Sequence, residues 1–284
     1  MNVISSTPVE RALALETLIR QNADQGDREC RLPAEVAEAL SANGLYRIGA
    51  PLAYGGEEAS PQTQIETIET ISRFDGSVGW NLMIGIENFG LIAPGCGSCK
   101  QMLEDPKVIL CSSTAAIGTA VRKGDGYLIN GSWPFVSGCQ NSSVFAATVR
   151  REEGGKVDKA FSYAMIAAPD FEIEETWDAS GMRGSGSHDV HVRDLWVPAS
   201  QMIAPLGGAD SDSALMRFPL GPRLSYNKIA IGFGLARFAI DTFVNLASHK
   251  VPRFSSMKLR ERSGAQVAIA EAEVRIRSSR ALVM

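Results

Sequence analysis

The hydrophobic spacing of this chain changes period twice, and that constrains its fold more than any single motif. Up to about residue 105 the apolar residues recur at helical steps. Thr7-Pro8-Val9-Glu10 has the form of a capping box with proline at the first helical position, and predicts a helix to about Asn22. Pro33 opens a second, with Val36, Ala37 and Leu40 on one face and Gly44 at its end. Ser60-Pro61 begins a third, carried by Ile65, Ile68 and Ile71. Further helical stretches run from about Ser77 through Gly90 and from Ser98 to Leu103.

Near Pro106 the texture changes. Val108–Ser112, Ala120–Lys123, Tyr127–Asn130, Val144–Val149, Ala160–Ala167, Phe171–Glu175 and Val190–Val197 are short, β-prone and separated by Gly, Asp or Pro. Lys123-Gly124-Asp125-Gly126 is a hairpin turn signal. From Arg223 to His249 the pattern is helical again and apolar nearly all round, which predicts a helix buried within a bundle. Gly232 and Gly234 inside it permit close backbone approach. A last helix is expected from Ser263 to the end, carrying Val267, Ala270, Val274 and Leu282. Helices, strands, then helices predict an α+β architecture in three segments: 1–105 helical, 106–205 a β domain, and 206–284 part of a helical bundle.

With 45% hydrophobic and 21% charged residues over 284 positions, the chain can bury a sizeable core. A net charge of −4 without a basic run argues against nucleic acid or an anionic membrane as partner. No apolar stretch reaches the ~18–20 residues of a membrane span. The start, MNVISSTPVERALA, lacks a basic segment followed by an apolar one. Together these predict a cytoplasmic protein. Cys30, Cys96, Cys99, Cys111 and Cys139 are odd in number and irregular in spacing, so they read as loop and packing residues. His188 and His191 point to opposite sides of a strand and His249 suits a helix C-terminus, so no metal cluster or catalytic triad is expected.

Three stretches stand out for chemistry. Trp133-Pro134-Phe135-Val136-Ser137-Gly138 reads, taken alone, as an aromatic strand ending in a turn. Ser112 through Ala120, SSTAAIGTA, reads as a polar loop between strands. Gly181 through Asp189, GMRGSGSHD, is glycine-rich but runs into a strand instead of opening a helix, which excludes a dinucleotide fingerprint.

In element order and in these stretches the chain resembles the acyl-CoA dehydrogenase superfamily over nearly its whole length, most strongly between Cys111 and Pro198. GMRGSGSHDV matches that family's G-x-R-G-[ST]-G-S-x-D-V signature. Where the dehydrogenases carry W-I-T-N, the W-x-F-x-S-G here resembles the group D two-component flavin-dependent monooxygenases of the p-hydroxyphenylacetate and phenol hydroxylase type. Thr114, Ala115 and Ala120 also replace the Glu-Pro and Asp of the dehydrogenases' T-E-P-x-x-G-S-D loop.

The resemblance implies an N-terminal helical domain, a middle antiparallel β domain and a C-terminal bundle that is incomplete at Met284. It implies reduced FMN or FAD delivered by a separate flavin reductase, O2 captured as a C4a-hydroperoxyflavin, and hydroxylation of a small aromatic substrate. Ser137 would stabilise the oxygen adduct, Phe135 would wall the ring, and Ser113, Thr119, Ser185 and Ser187 would contact the flavin. Arg183 would brace its loop, and Trp80, Asn88 and His188 would meet the substrate. A homo-oligomer is expected, a tetramer or, with a partial bundle, a dimer. Two other readings stay open: an acyl-CoA dehydrogenase-like FAD oxidoreductase, and a non-catalytic binding or assembly subunit.

Overall fold

A computed structural model describes residues 6–204 and 214–284 of the chain. The capping box forms: the Glu10 amide donates to the Thr7 hydroxyl at 3.2 Å, and the Thr7 amide donates to the Glu10 carboxylate at 2.8 Å. The single helix expected to Asn22 is instead two, α1 (Pro8–Leu13) and α2 (Glu16–Glu29). The break between them lets Ala12, Leu15 and Ile19 all reach the core. Next come α3 (Ala34–Ala42), α4 (Pro61–Phe74) and α5 (Gly76–Ile92). The stretch expected as a short helix from Ser98 is a 3₁₀ segment, Gly97–Leu103.

The strands are β1 (Leu110–Lys123), β2 (Gly126–Val136), β3 (Val144–Glu153), β4 (Lys156–Val157), β5 (Ser162–Ala167), β6 (Glu172–Glu174), β7 (His188–Pro198) and β8 (Met202–Ile203). They form one sheet in the order β6-β7-β2-β1-β3-β5-β8, with β4 beside β3. The two strands expected around Ser112 and Ala120 are the ends of β1, which slips register between Ser113 and Gly118.

The antiparallel sheet that the sequence reading expected is in fact mixed, because β1 and β3 run parallel with Leu110 opposite Val144. Chain path explains this. The two-residue turn at Gly124-Asp125 returns β2 alongside β1. The turn through Cys139–Asn141 then delivers the chain to the start of β1, where the Ser143 amide donates to the Ile109 carbonyl at 3.1 Å. A strand starting there can only run the way β1 runs. Its alternate residues serve two cores: Val144 and Ala146 pack with the helices, while Phe145, Ala147 and Val149 pack with Trp133 and the opposite face of the sheet.

After α6 (Ala214–Arg217) come α7 (Leu220–His249) and α8 (Ser263–Val283). The boundary expected at residues 205–206 lies outside the described residues. Gly234 meets α4 so closely that a Cβ there would stand 2.4 Å from the Ser72 Cβ; Gly232 faces open space. The all-round burial expected of α7 is not found. Ile229, Leu235, Phe238, Val244 and Leu246 are exposed, because α4 and α5 cover one side of it and α8 covers little of the rest.

Against the sequence expectation, α7 is also long and apolar enough to cross a membrane, with mean hydropathy 1.4 over its best window in Gly221–His249. Its charged side chains, however, tie it to its helical neighbours. Lys228 pairs with Glu87 of α5, Asp241 with Arg73 of α4, and Arg237 with Glu273 of α8.

Candidate active site

The site is built on α5. The Asp75 carboxylate caps the helix, accepting from the Val78 amide at 2.9 Å, and burial raises its pKa. Val78, Leu82, Met83, Ile86 and Phe89 bury most of its circumference. Among its half-buried residues is a stripe one turn apart, Trp80, Ile84 and Asn88, turned toward the sheet. Trp80 Nε1 donates to Ser137 Oγ at 2.9 Å, and Asn88 Nδ2 donates to the Leu110 carbonyl at 2.9 Å.

The end of β2 supplies the facing wall. Its pairing with β7 slips between Trp133 and Val136, and within that bulge Phe135 adopts φ +59°. A left-handed backbone is unusual for so bulky a residue, and such strain concentrates at functional sites. The bulge turns the ring outward: Phe135 is 60% exposed, edge-on to Trp177 at 6.3 Å. Three residues on, the chain turns sharply at Gly138 (φ +74°), where a Cβ would stand 2.4 Å from Asn81 Oδ1.

The glycine-rich stretch closes on this wall. Met182 (φ +57°) and Gly186 (φ +53°) fold it back on itself, so that Ser185 and Ser187 come to Ser137. Ser137 and Ser187 lie 2.8 Å apart, oxygen to oxygen, as do Ser187 and Ser185. All three serines are buried. Behind them the Gly138 amide and Asn81 Nδ2 donate to the Ser185 carbonyl at 3.0 and 3.3 Å. Arg183 ties the stretch down, donating to the Asp27 carbonyl at 2.9 Å and to Asp178 at 2.6 Å.

The other candidate residues are spread more widely. Ser113 Oγ donates to the Pro134 carbonyl at 2.6 Å and accepts from the Ala115 amide at 3.2 Å, fixing the β1 slip against the β2 bulge. Thr119 sits further along β1, exposed, donating to the Asn130 carbonyl at 3.4 Å. His188 is 2% exposed and has both ring nitrogens engaged. Its Nδ1 accepts from the Trp177 amide at 3.1 Å, so its proton sits on Nε2, 3.0 Å from the Cys30 carbonyl. His191, on the opposite face, contacts Ser132 and Glu174.

Trp177 and Met182 were not singled out in the sequence. Trp177 Nε1 donates to the Met182 carbonyl at 3.2 Å, and Met182 with Leu235 of α7 crowds the space over Gly76. Trp177 falls in an irregular loop with no period to flag it. Burial pushes the nearby Cys139 thiol up to about 12 and the Cys111 thiol higher still, away from the reactive thiolate.

A row of buried hydroxyls beside an outward-turned aromatic ring suits a planar heteroaromatic group, with one polar edge to bond and an apolar face to cover. Comparison with known proteins agrees with that chemistry. Residues 11–95 match the acyl-CoA dehydrogenase N-terminal domain family, and residues 228–284 match the acyl-CoA dehydrogenase C-terminal domain family. The chain is 30% identical over 281 residues to an indole-3-acetate monooxygenase of Pseudomonas putida, covering 99% of this chain and 72% of that one. The chain belongs to the flavin-dependent monooxygenases of the acyl-CoA dehydrogenase fold.

Another member of this family, the flavin-dependent monooxygenase oxygenase subunit HsaA of Mycobacterium tuberculosis, is 30% identical over 266 residues, covering 89% of this chain and 67% of that one. The crystal structure of 3-HSA hydroxylase from Rhodococcus sp. RHA1 superposes with a TM-score of 0.85 at 26% identity, covering 98% of this chain and 74% of that one. Membership decides between the two flavin chemistries left open by the sequence, in favour of oxygen over thioester oxidation.

Proposed function

We propose that the Ser137 cluster holds the reactive edge of reduced FMN or FAD, and that the chain acts as the oxygenase component of a two-component monooxygenase on a small aromatic substrate. The observation that carries this is the outward-turned Phe135 ring beside the buried Ser137, Ser185 and Ser187 hydroxyls. Reduced flavin, when bound, supplies the electrons with which one atom of O2 enters the substrate and the other leaves as water.

The chain's own residues position that chemistry. Ser137 holds a proton at the polar edge, with the Trp80 N–H and the Ser187 hydroxyl on its oxygen and the Ser185 backbone fixed behind it by the Gly138 amide and Asn81. Phe135 and Trp177 cover an apolar face and exclude water. Ser113 fixes the strand that carries Phe135, and we assign Thr119 to a more distant part of the flavin nucleotide. Trp80 and Asn88 form the wall on the substrate side. We assign His188 to bracing Trp177, since both its nitrogens are taken.

A separate reductase supplies the reduced flavin. The apolar sides of α7 and α8 suit a homo-oligomer, a tetramer or a dimer, and we place the protein in the cytoplasm.

Anaerobic titration with FMNH2 and FADH2, followed by oxygen and a panel of indoles and phenols, tests the reading. Saturable binding of reduced flavin with formation of a hydroxylated product is expected. A folded protein that binds neither reduced flavin sinks it.

A further inference from the structure

We propose that Trp80 is a positioning residue: together with Ser187 and Ser185 it fixes the direction in which Ser137 points its proton, making Ser137 a committed donor to the group in the site. This rests on the flavin reading above and adds to it a residue and a polarity.

An indole N–H only donates, so Ser137 Oγ must be the acceptor in its 2.9 Å bond with Trp80. Each serine hydroxyl carries one proton and two lone pairs. The chain from Ser137 through Ser187 to Ser185 can therefore be ordered in three ways. If Ser187 accepts from both neighbours, its own proton, on a side chain 6% exposed, has no acceptor among the described residues. If the protons run inward, Ser137 donates to Ser187 and Ser187 donates to Ser185. The Ser185 proton then ends on a side chain only 1% exposed, with no other acceptor among the described residues.

If the protons run outward, Ser185 donates to Ser187 and Ser187 donates to Ser137. Ser137 then accepts from two sides, and its own proton is left for the site. In this arrangement the proton without a protein partner is on Ser137, the most exposed of the three at 7% and the one that faces the site, and what goes unfilled deeper in is only a lone pair on Ser185. A buried oxygen short of one bond is tolerated more readily than a buried donor with none. The outward order is therefore the native one, and Trp80 is what fills the second lone pair of Ser137. Without that N–H, one acceptor position on Ser137 falls vacant and its hydroxyl is free to turn into it.

A donor fixed in this direction retains bound oxygen, and losing it lets oxygen escape as peroxide. The experiment uses the full chain with reduced flavin and no substrate, and needs none. It reads the flavin dissociation constant and the rate of H2O2 release after mixing with O2, for Trp80→Phe and for Trp80→His, which keeps a ring N–H. Trp80→Phe is expected to leave the dissociation constant within about threefold while speeding H2O2 release at least about tenfold, with Trp80→His recovering most of the difference.

H2O2 release at the wild-type rate in Trp80→Phe overturns the proposal, and so does a loss of flavin binding as large as the gain in release. The Trp80 indole N–H resonance of the flavin-free protein supplies an independent arm and should move upfield in Ser137→Ala. A wild-type protein that binds no reduced flavin breaks the flavin reading. An indole signal unmoved by Ser137→Ala breaks the Trp80 proposal by itself.

Discussion

α5 and α8 are both long helices of the helical layers, yet different forces hold them. Of the seventeen residues of α5, eleven are buried; none of the twenty-one residues of α8 is. α5 is fixed by apolar packing and by glycines that admit its neighbours: a Cβ on Gly85 would stand 2.2 Å from the Tyr46 ring. α8 is fixed by charge, through Arg237 with Glu273 at 2.7 Å and Arg280 with Glu69 at 2.9 Å, while Val267, Val274 and Leu282 face outward. Packing holds a helix to a fraction of an ångström, whereas exposed ion pairs hold it loosely. The helix that must place Trp80 against Ser137 is the packed one.

Emptying the core behind α5 tests that contrast most severely. Phe89 is fully buried, with the Arg47 guanidinium 4.5 Å from its ring centre. Phe89→Ala should cost about 3–5 kcal/mol, through lost transfer energy and the cavity left behind. Arg47 donates to the carbonyls of Leu103 at 2.8 Å and Asp105 at 2.6 Å, so the junction between helices and sheet should loosen with it. Urea unfolding of the variant would show the loss as a lower midpoint. A shift no larger than that of a surface substitution would mean that α5 is not the anchor.

The two regions also differ in how well their sequence announces them. The hairpin at Gly124-Asp125 and the caps at Thr7 and Asp75 are encoded within a few residues, and local chemistry decides them. Ser137, Ser185 and Ser187 could be marked as two motifs, but their meeting across fifty residues is set by the β2 bulge and the left-handed Met182 and Gly186. The parallel pairing of β1 with β3 was illegible because strand direction leaves no local trace. The exposure of α7 was misread for a similar reason, since an apolar helix says nothing of what covers it. Trp177 carried no signal at all; its role comes from the ring it meets.

At the α8 end a much smaller effect is expected. Arg280→Ala removes the pair with Glu69 and the longer one with Glu66 at 3.6 Å, and should cost about 0.2–1 kcal/mol of α8 docking. Hydrogen exchange should show faster amide exchange along α8 with α5 unchanged. Added salt should speed α8 exchange in the wild type and hardly alter it in α5, because screening acts on exposed charges. Equal salt effects on both helices would erase the distinction drawn here.

The finest test sets one carboxylate from each helix against the other. Glu87 of α5 is 8% exposed, and burial raises its pKa, with the Lys228 ammonium 3.0 Å away offsetting part of that. Glu273 of α8 is lowered to about 2 by hydrogen bonds from Arg237 and then Arg277. The signs are opposite. A raised folded pKa means that the native state binds the proton more tightly, so the Glu87 contribution is present at low pH and lost as pH rises through its folded pKa. A lowered one means that the Glu273 contribution is present above the unfolded carboxylate pKa and lost as pH falls toward about 2. Glu87→Gln leaves Lys228 with its side chain 46% exposed and able to hydrate, so near neutral pH it should cost under about 1 kcal/mol. Its clearer effect is on slope. Between about pH 4 and 7, stability should rise more steeply with pH in Glu87→Gln than in the wild type, while Glu273→Gln should flatten the acid side. Urea midpoints at a series of pH values would read both slopes, and parallel curves for the wild type and Glu87→Gln would mean that the carboxylate on the packed helix titrates as if it were in water.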